Sequence, residues 1–172
     1  AQVLSGDGLA VDGMTIDLAG RNIRLYGIAA PALAQHCQRT ANGADRPYPC
    51  GLDAKAFLAS LLARRTVFCV PESQGSESPV MIAQCFADGA DVSEVLVKAG
   101  WAVTADRVAN IYVGAEEEAR QAQRGLWVGR FELTVDDPAA RCPHRRDLRP
   151  QDVDGRPRQC QDDDVVGGVD LD

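Results

Sequence analysis

Val11-Asp12-Gly13-Met14-Thr15-Ile16-Asp17-Leu18-Ala19-Gly20-Arg21-Asn22-Ile23-Arg24-Leu25-Tyr26-Gly27-Ile28 is the stretch on which the fold turns. From Met14 to Leu18 apolar and polar side chains alternate, as in a strand with one buried face. Asp12-Gly13 before it and Ala19-Gly20 after it are turn pairs, and Ile23 to Ile28 resumes as a further strand. With a first strand near Val3 to Val11, the segment predicts a three-stranded meander.

Outward from there, Pro31 ends the meander and a cysteine-containing loop, Gln35 to Pro49, leads to a helix. Ala54, Phe57, Leu58, Leu61 and Leu62 recur at helical spacing and give that helix one apolar face for the sheet. Val67 to Val70 and Ile82 to Ala87 read as strands four and five, separated by the polar loop Pro71 to Pro79. Asp91 and Glu94 stand where an N-cap and its capping-box partner belong, and Gly100 is placed to stop the helix they open. A third helix, about Val108 to Arg124, is expected to bury Ile111, Tyr112, Ala115 and Ala119 and to end at Gly125. The fold class is therefore α+β, mainly β, with five strands and three helices. After Phe131 the composition changes to turn residues, few large apolar side chains and an acidic close. The expected division is a domain over residues 1–134 and an irregular extension over 135–172.

Composition narrows the class. A hydrophobic fraction of 45% over 172 residues supports one real core plus an extension. No stretch approaches the ~20 apolar residues of a membrane helix, so no transmembrane segment is expected. The formal charge is −7. Both parts share it: residues 1–134 carry 12 Lys and Arg against 15 Asp and Glu, and residues 135–172 carry 6 against 10. Neither has the positive field used to grip a phosphate backbone, which argues against nucleic acid as partner. Six cysteines in a small chain point to disulfides and to a periplasmic or secreted protein. The start at Ala1-Gln2-Val3 is the one expected after removal of an export signal, although a trimmed chain would begin the same way. With no C-x-x-C and with His36 and His144 far apart, a zinc or haem site is not expected.

Three blocks, Val11 to Ile16, Ile23 to Ala32 and Leu96 to Ala102 with Ala115 to Trp127, fall in an order that resembles the staphylococcal nuclease (thermonuclease) family over roughly residues 3–131. The resemblance implies a five-stranded OB-fold barrel with three helices. It also implies a disulfide framework, since exported bacterial members are similar in the placing of Cys37, Cys50, Cys69 and Cys85. That pairs Cys37 with Cys50 and Cys69 with Cys85, and leaves Cys142 with Cys160 to pin the extension, one of 15 possible connectivities.

The same resemblance says where the chemistry would sit. In this family a carboxylate pair and a carbonyl hold calcium, a glutamate serves the attacking water and two arginines clamp the phosphate. Here Met14 and Ala29 stand at the metal carboxylates, Ala32 at the glutamate and Val80 at the second arginine. A slip in aligning that loop changes nothing, because Gln74 to Gln84 contains no Arg or Lys. Arg24 is the matching arginine, either a relic phosphate binder or a brace for the barrel, and Asp12 is an acidic remnant or simply a turn former. Asp17, three residues past Met14 on one strand, points to the other face and cannot replace it.

No metal and no cofactor is therefore expected. The implied protein is a catalytically inactive, nuclease-like exported chain that binds a protein partner as an accessory subunit. Two alternatives stay open: a divergent calcium-dependent nuclease acting on DNA or RNA, and an OB fold that binds nucleic acid without cutting it. In the extension, Arg141, Arg145, Arg146 and Arg149 precede Asp162-Asp163-Asp164, a docking surface or a solvated tail.

Overall fold

The computed structural model describes residues 2–72, 80–105 and 111–133. In chain order the elements are β1 (Leu4–Ala10), β2 (Thr15–Leu18), β3 (Arg21–Leu25), β4 (Ile28–Ala29), β5 (Cys37–Ala41), β6 (Ala44–Tyr48) and α1 (Cys50–Leu62). They continue with β7 (Thr66–Pro71), β8 (Met81–Ala87), β9 (Ala90–Asp91), α2 (Val92–Lys98), β10 (Val103–Thr104), α3 (Val113–Gln121) and β11 (Gly129–Arg130).

The meander forms as its alternation requires. Ile16 pairs with Ile23 across β2 and β3, and the inward Ile16, Leu18, Ile23 and Leu25 are at most 1% exposed. β1 lies antiparallel to β2 on one side and to β7 on the other, and β7 continues to β8. β8 then runs parallel to β3, which closes β3-β2-β1-β7-β8 into a five-stranded barrel of the OB type. Closure removes the two edges that an open sheet of this length would leave unpaired.

β1 alternates in burial but not in hydrophobicity. After Leu4 its inward positions, Gly6, Gly8 and Ala10, are small, and a side chain on Gly8 would press on Val67 Cγ2 and Leu62 Cδ1, whereas Leu9 faces out at 70% exposure. The glycines let α1 approach the barrel, and Leu58 and Leu62 fill the space. Burying each such leucine stabilises by about 1.5–3 kcal/mol.

Asp91 caps α2 as expected, its Oδ1 accepting from Ser93 N at 2.9 Å and from Glu94 N at 3.4 Å. Its other oxygen accepts from the buried Tyr112 hydroxyl and from Gln84 Nε2, both at 2.8 Å, so one carboxylate joins β8, α2 and the start of α3. Burial and this contact raise the Tyr112 phenol well above its ordinary range.

Three expectations need correction. Gln35 to Pro49 is not a plain loop: β5 and β6 form a hairpin about Asn42-Gly43, both at positive φ, and β11 adds a third strand. An Asn-Gly turn favours that hairpin, but its strands are polar and carry no alternation to announce it. The strand expected to run to Ile28 breaks after Leu25, because Gly27 takes φ 76° and redirects Ile28–Ala29 to pair with β10. Ile111 and Tyr112 precede α3, which begins at Val113, and Ile111 is 55% exposed instead of buried; the expected start at Val108 lies outside the described residues. Gln123, at φ 50°, takes the left-handed turn that ends α3, two residues before Gly125; Gly125 is also left-handed, at φ 54°, and a Cβ there would lie 2.5 Å from Gly100 O.

Candidate functional site

The Asp12 to Met14 turn is built by its own backbone. Asp12 Oδ1 accepts from Met14 N at 2.8 Å, and Val11 N donates to Thr15 O at 2.8 Å, the local bonding that makes Asp a turn residue. Gly13 fits because a side chain there would come within 3.1 Å of Ala30 Cβ, so the turn lies directly on the Ile28 to Pro31 segment. Arg24, paired with Thr15 on β2, brings Nη2 to 3.8 Å from Met14 Sδ. The fold thus gathers Asp12, Met14, Arg24 and Ala29 at one end of the barrel, as the order of the sequence blocks implies.

Ala29 is 6% exposed and pairs with Val103, itself 4% exposed. Met14, Trp127, Phe131 and Leu133 pack on these two to make a single apolar cluster. Trp127 meets Phe131 edge-on with ring centroids 5.0 Å apart. Ala32 is half-buried beside it, its N–H donating to Gln35 Oε1 at 3.3 Å, while Gln35 Nε2 donates to Glu132 O. Gln35 therefore ties the Ala32 segment to the chain that lays Phe131 and Leu133 over Ala29. Val80 is 43% exposed, one residue before Met81, the register partner of Ile23.

Met14, Ala29 and Ala32 offer no side-chain oxygen. Calcium takes six to eight oxygen ligands, and among the described residues no three of His, Cys, Asp or Glu are grouped to hold a metal. The donor set does not fit calcium. His36 is exposed with Nδ1 3.2 Å from Ala34 O, and its neighbour Cys37 is bonded to Cys50.

Beside the apolar cluster a polar chain links β10, α3 and Trp127. Glu116 Oε2 accepts from Thr104 N at 2.8 Å, Arg120 pairs with Glu116 at 3.7 Å, and the Arg120 guanidinium sits 4.7 Å over the Trp127 ring. The i,i+4 spacing of Glu116 and Arg120 was the available signal. The outer face is solvated, with Glu118 held below the usual carboxylate range by Arg124, then by Lys98.

On the far side of Trp127 the β5–β6 hairpin and β11 border an open groove of about 550 Å³. Within it Thr40 Oγ1 donates to Asp45 Oδ1 at 2.7 Å and Arg130 pairs with the other Asp45 oxygen. Thr40 first, then Arg130, holds Asp45 below the ordinary carboxylate range. The sequence reading did not find this groove, which depends on the unrecognised hairpin.

Cys37 bonds to Cys50 and Cys69 to Cys85, the pairing the resemblance implied. Cys142, Cys160 and the whole 135–172 extension lie outside the described residues. Among the described residues no helix is long and apolar enough to cross a membrane.

A sequence profile of the family described as Staphylococcal nuclease homologue matches residues 22–129. The succinoglycan biosynthesis protein ExoI of Rhizobium meliloti (strain 1021) is 32% identical over 133 residues, which cover 74% of this chain. The match spans 66% of ExoI, just under two thirds of that relative's length.

Proposed function

This chain belongs to the staphylococcal nuclease family, and we propose that it is an exported member without nuclease activity that serves as a protein-binding or accessory subunit. One observation carries the reading: Met14 and Ala29, at the positions of the metal carboxylates, lie in an apolar cluster with Val103, Trp127, Phe131 and Leu133. Phosphodiester hydrolysis needs charge neutralised at the phosphoryl oxygens and an activated water. An apolar cluster supplies neither, and Ala32 cannot take a proton from water. Arg24 alone can attract an anion without activating its attacker.

Two disulfides within the barrel domain support an oxidising compartment, periplasmic or extracellular. The formal charge of −7 supports a protein partner over a nucleic acid. ExoI is named for succinoglycan biosynthesis, and a part in making a polysaccharide is the process that this relative brings to the proposal. The extension, with its arginines and its Cys142 and Cys160, is proposed as a second docking surface.

The deciding assay incubates the pure protein with single-stranded DNA and RNA, with and without calcium. No cleavage above buffer is expected. Calcium-dependent cleavage lost in Arg24→Ala would establish the divergent nuclease instead, and salt-sensitive oligonucleotide binding without cleavage would establish the non-cleaving nucleic-acid binder. Gentle purification from the native source should yield a stoichiometric protein complex; a free monomer would count against the accessory role.

A further inference from the structure

We propose that the groove between the β5–β6 hairpin and β11 is a saccharide-binding site, lined by Trp127, Asp45, Arg130, Gln123 and Thr40. It shares only Trp127 with the apolar cluster and does not rest on the loss of nuclease chemistry.

The groove has the size and composition for a sugar unit. Small-molecule sites are concavities of roughly 300–1,000 Å³ in which a few placed polar groups orient a ligand against an apolar surface, and this one measures about 550 Å³. Arg120 covers one face of the Trp127 indole, and the part of the ring that lines the groove provides the apolar surface against which the C–H groups of a pyranose ring can lie. Around it stand an acceptor-only carboxylate, a planar guanidinium, a carboxamide and a hydroxyl. Such a mixture matches neighbouring ring hydroxyls, each of which is both donor and acceptor.

The groups are available and held in place. Arg130 uses one of its five N–H donors on Asp45 and its side chain is 79% exposed. The Gln123 side chain is exposed and makes no hydrogen bond among the described residues. Trp127 Nε1 is buried and has no hydrogen-bond partner among the described residues, so this residue offers the groove its ring and not its N–H. The walls are preformed: β5 is fixed to α1 through Cys37–Cys50, β11 pairs with β5, and Asn42, Gly43 and Gln123 sit in left-handed turns. Preformed walls lower the ordering cost of binding.

Other ligand classes fit less well. Asp45 stays ionised beside Arg130, so the groove offers no net positive charge to a phosphate or a nucleotide chain.

The full chain is applied to an array of neutral and acidic hexose oligosaccharides, and the strongest hit is titrated by tryptophan fluorescence. Retention of at least one oligosaccharide is expected. Gln123→Ala and Asp45→Asn, both with an unchanged circular dichroism spectrum, should each weaken the hit by roughly tenfold, the loss of one good hydrogen bond. Trp127→Phe keeps the ring packing if a smaller residue fails to fold, and it too should weaken binding. Retention of no oligosaccharide would overturn the proposal. So would a hit unaffected by both Gln123→Ala and Asp45→Asn, or one displaced by inorganic phosphate or a thymidine oligonucleotide. Nuclease activity is measured separately, so a saccharide binder that also cuts DNA would sink the preceding proposal and leave this one standing.

Discussion

Ala29→Asp places a carboxylate at the position proposed above for a metal ligand, and the outcome separates a filled pocket from a dormant one. Ala29 is 6% exposed, pairs with Val103 and is covered by Met14, Trp127, Phe131 and Leu133. A carboxylate there loses water, and what the cluster sets around it is apolar surface with the buried Trp127 Nε1 and, at Met14 Sδ, the Arg24 guanidinium. Desolvation can raise a buried carboxyl by about 3 pKa units, and at 1.36 kcal/mol per unit that is an upper limit of about 4 kcal/mol. Attraction to Arg24 reduces the charge penalty, and the larger side chain adds an overpacking cost of about 1 kcal/mol. The expected net destabilisation at pH 7 is about 3 kcal/mol.

Urea unfolding of the parent, Ala29→Asn and Ala29→Asp measures it. The asparagine variant carries the steric and polar cost without charge, so the difference between the two variants isolates ionisation. The sign follows from linkage. A carboxyl raised in the folded state favours unfolding once it ionises in the unfolded chain, so the penalty grows as pH rises from about 4 and shrinks below it. Millimolar calcium should leave the unfolding midpoint of Ala29→Asp unchanged. If that variant is as stable as the parent, or if calcium raises its midpoint, the pocket is open to a cation and the argument fails.

Asp91→Ala removes the α2 cap and orphans the buried Tyr112 hydroxyl, and should cost about 3 kcal/mol by urea unfolding; a cost below about 1 kcal/mol would mean that the junction is not shared. Because the Tyr112 phenol is raised in the folded state, its share of stability is complete below the unfolded value of 10.0 and is lost as pH climbs beyond it. A spectroscopic titration at 295 nm should show one tyrosine ionising only as the protein unfolds. Cys69→Ala with Cys85→Ala opens a link between residues 16 apart and should lower stability by about 3 kcal/mol, measured in the same denaturant. Equal midpoints with and without the link would show that the barrel strands hold each other unaided.

Legibility followed the range of the interactions. The β2–β3 meander, the α1 face and the Asp91 cap were readable because their determinants lie within a few residues: alternation at Met14 to Leu18, helical spacing from Ala54 to Leu62, and an acid three positions before Glu94. The β5–β6 hairpin was missed because Arg39, Thr40, Asp45 and Arg46 are solvated on a small sheet that has little core to pattern them. Its presence hangs on Asn42-Gly43 and on β11, ninety residues away. Ile111 would be buried if the third helix ran through it, but α3 begins at Val113, and of the pair ahead of it only Tyr112 turns inward to meet Asp91.

The candidate site divides the same way. From the ordered blocks, the sequence determined the family, the identities at Met14, Ala29, Ala32 and Val80, and the lack of side-chain oxygens there, since a residue's chemistry is a local property. What stands over those positions was decided by tertiary structure alone. Trp127, Phe131 and Leu133 come from the far end of the domain, and β4–β10 pairing with the Gln35 bond to Glu132 carries them onto Ala29. The groove on the other side of Trp127 likewise needs three strands from two distant segments. Burial and side-chain convergence are set by barrel closure, and closure is a property of the whole chain.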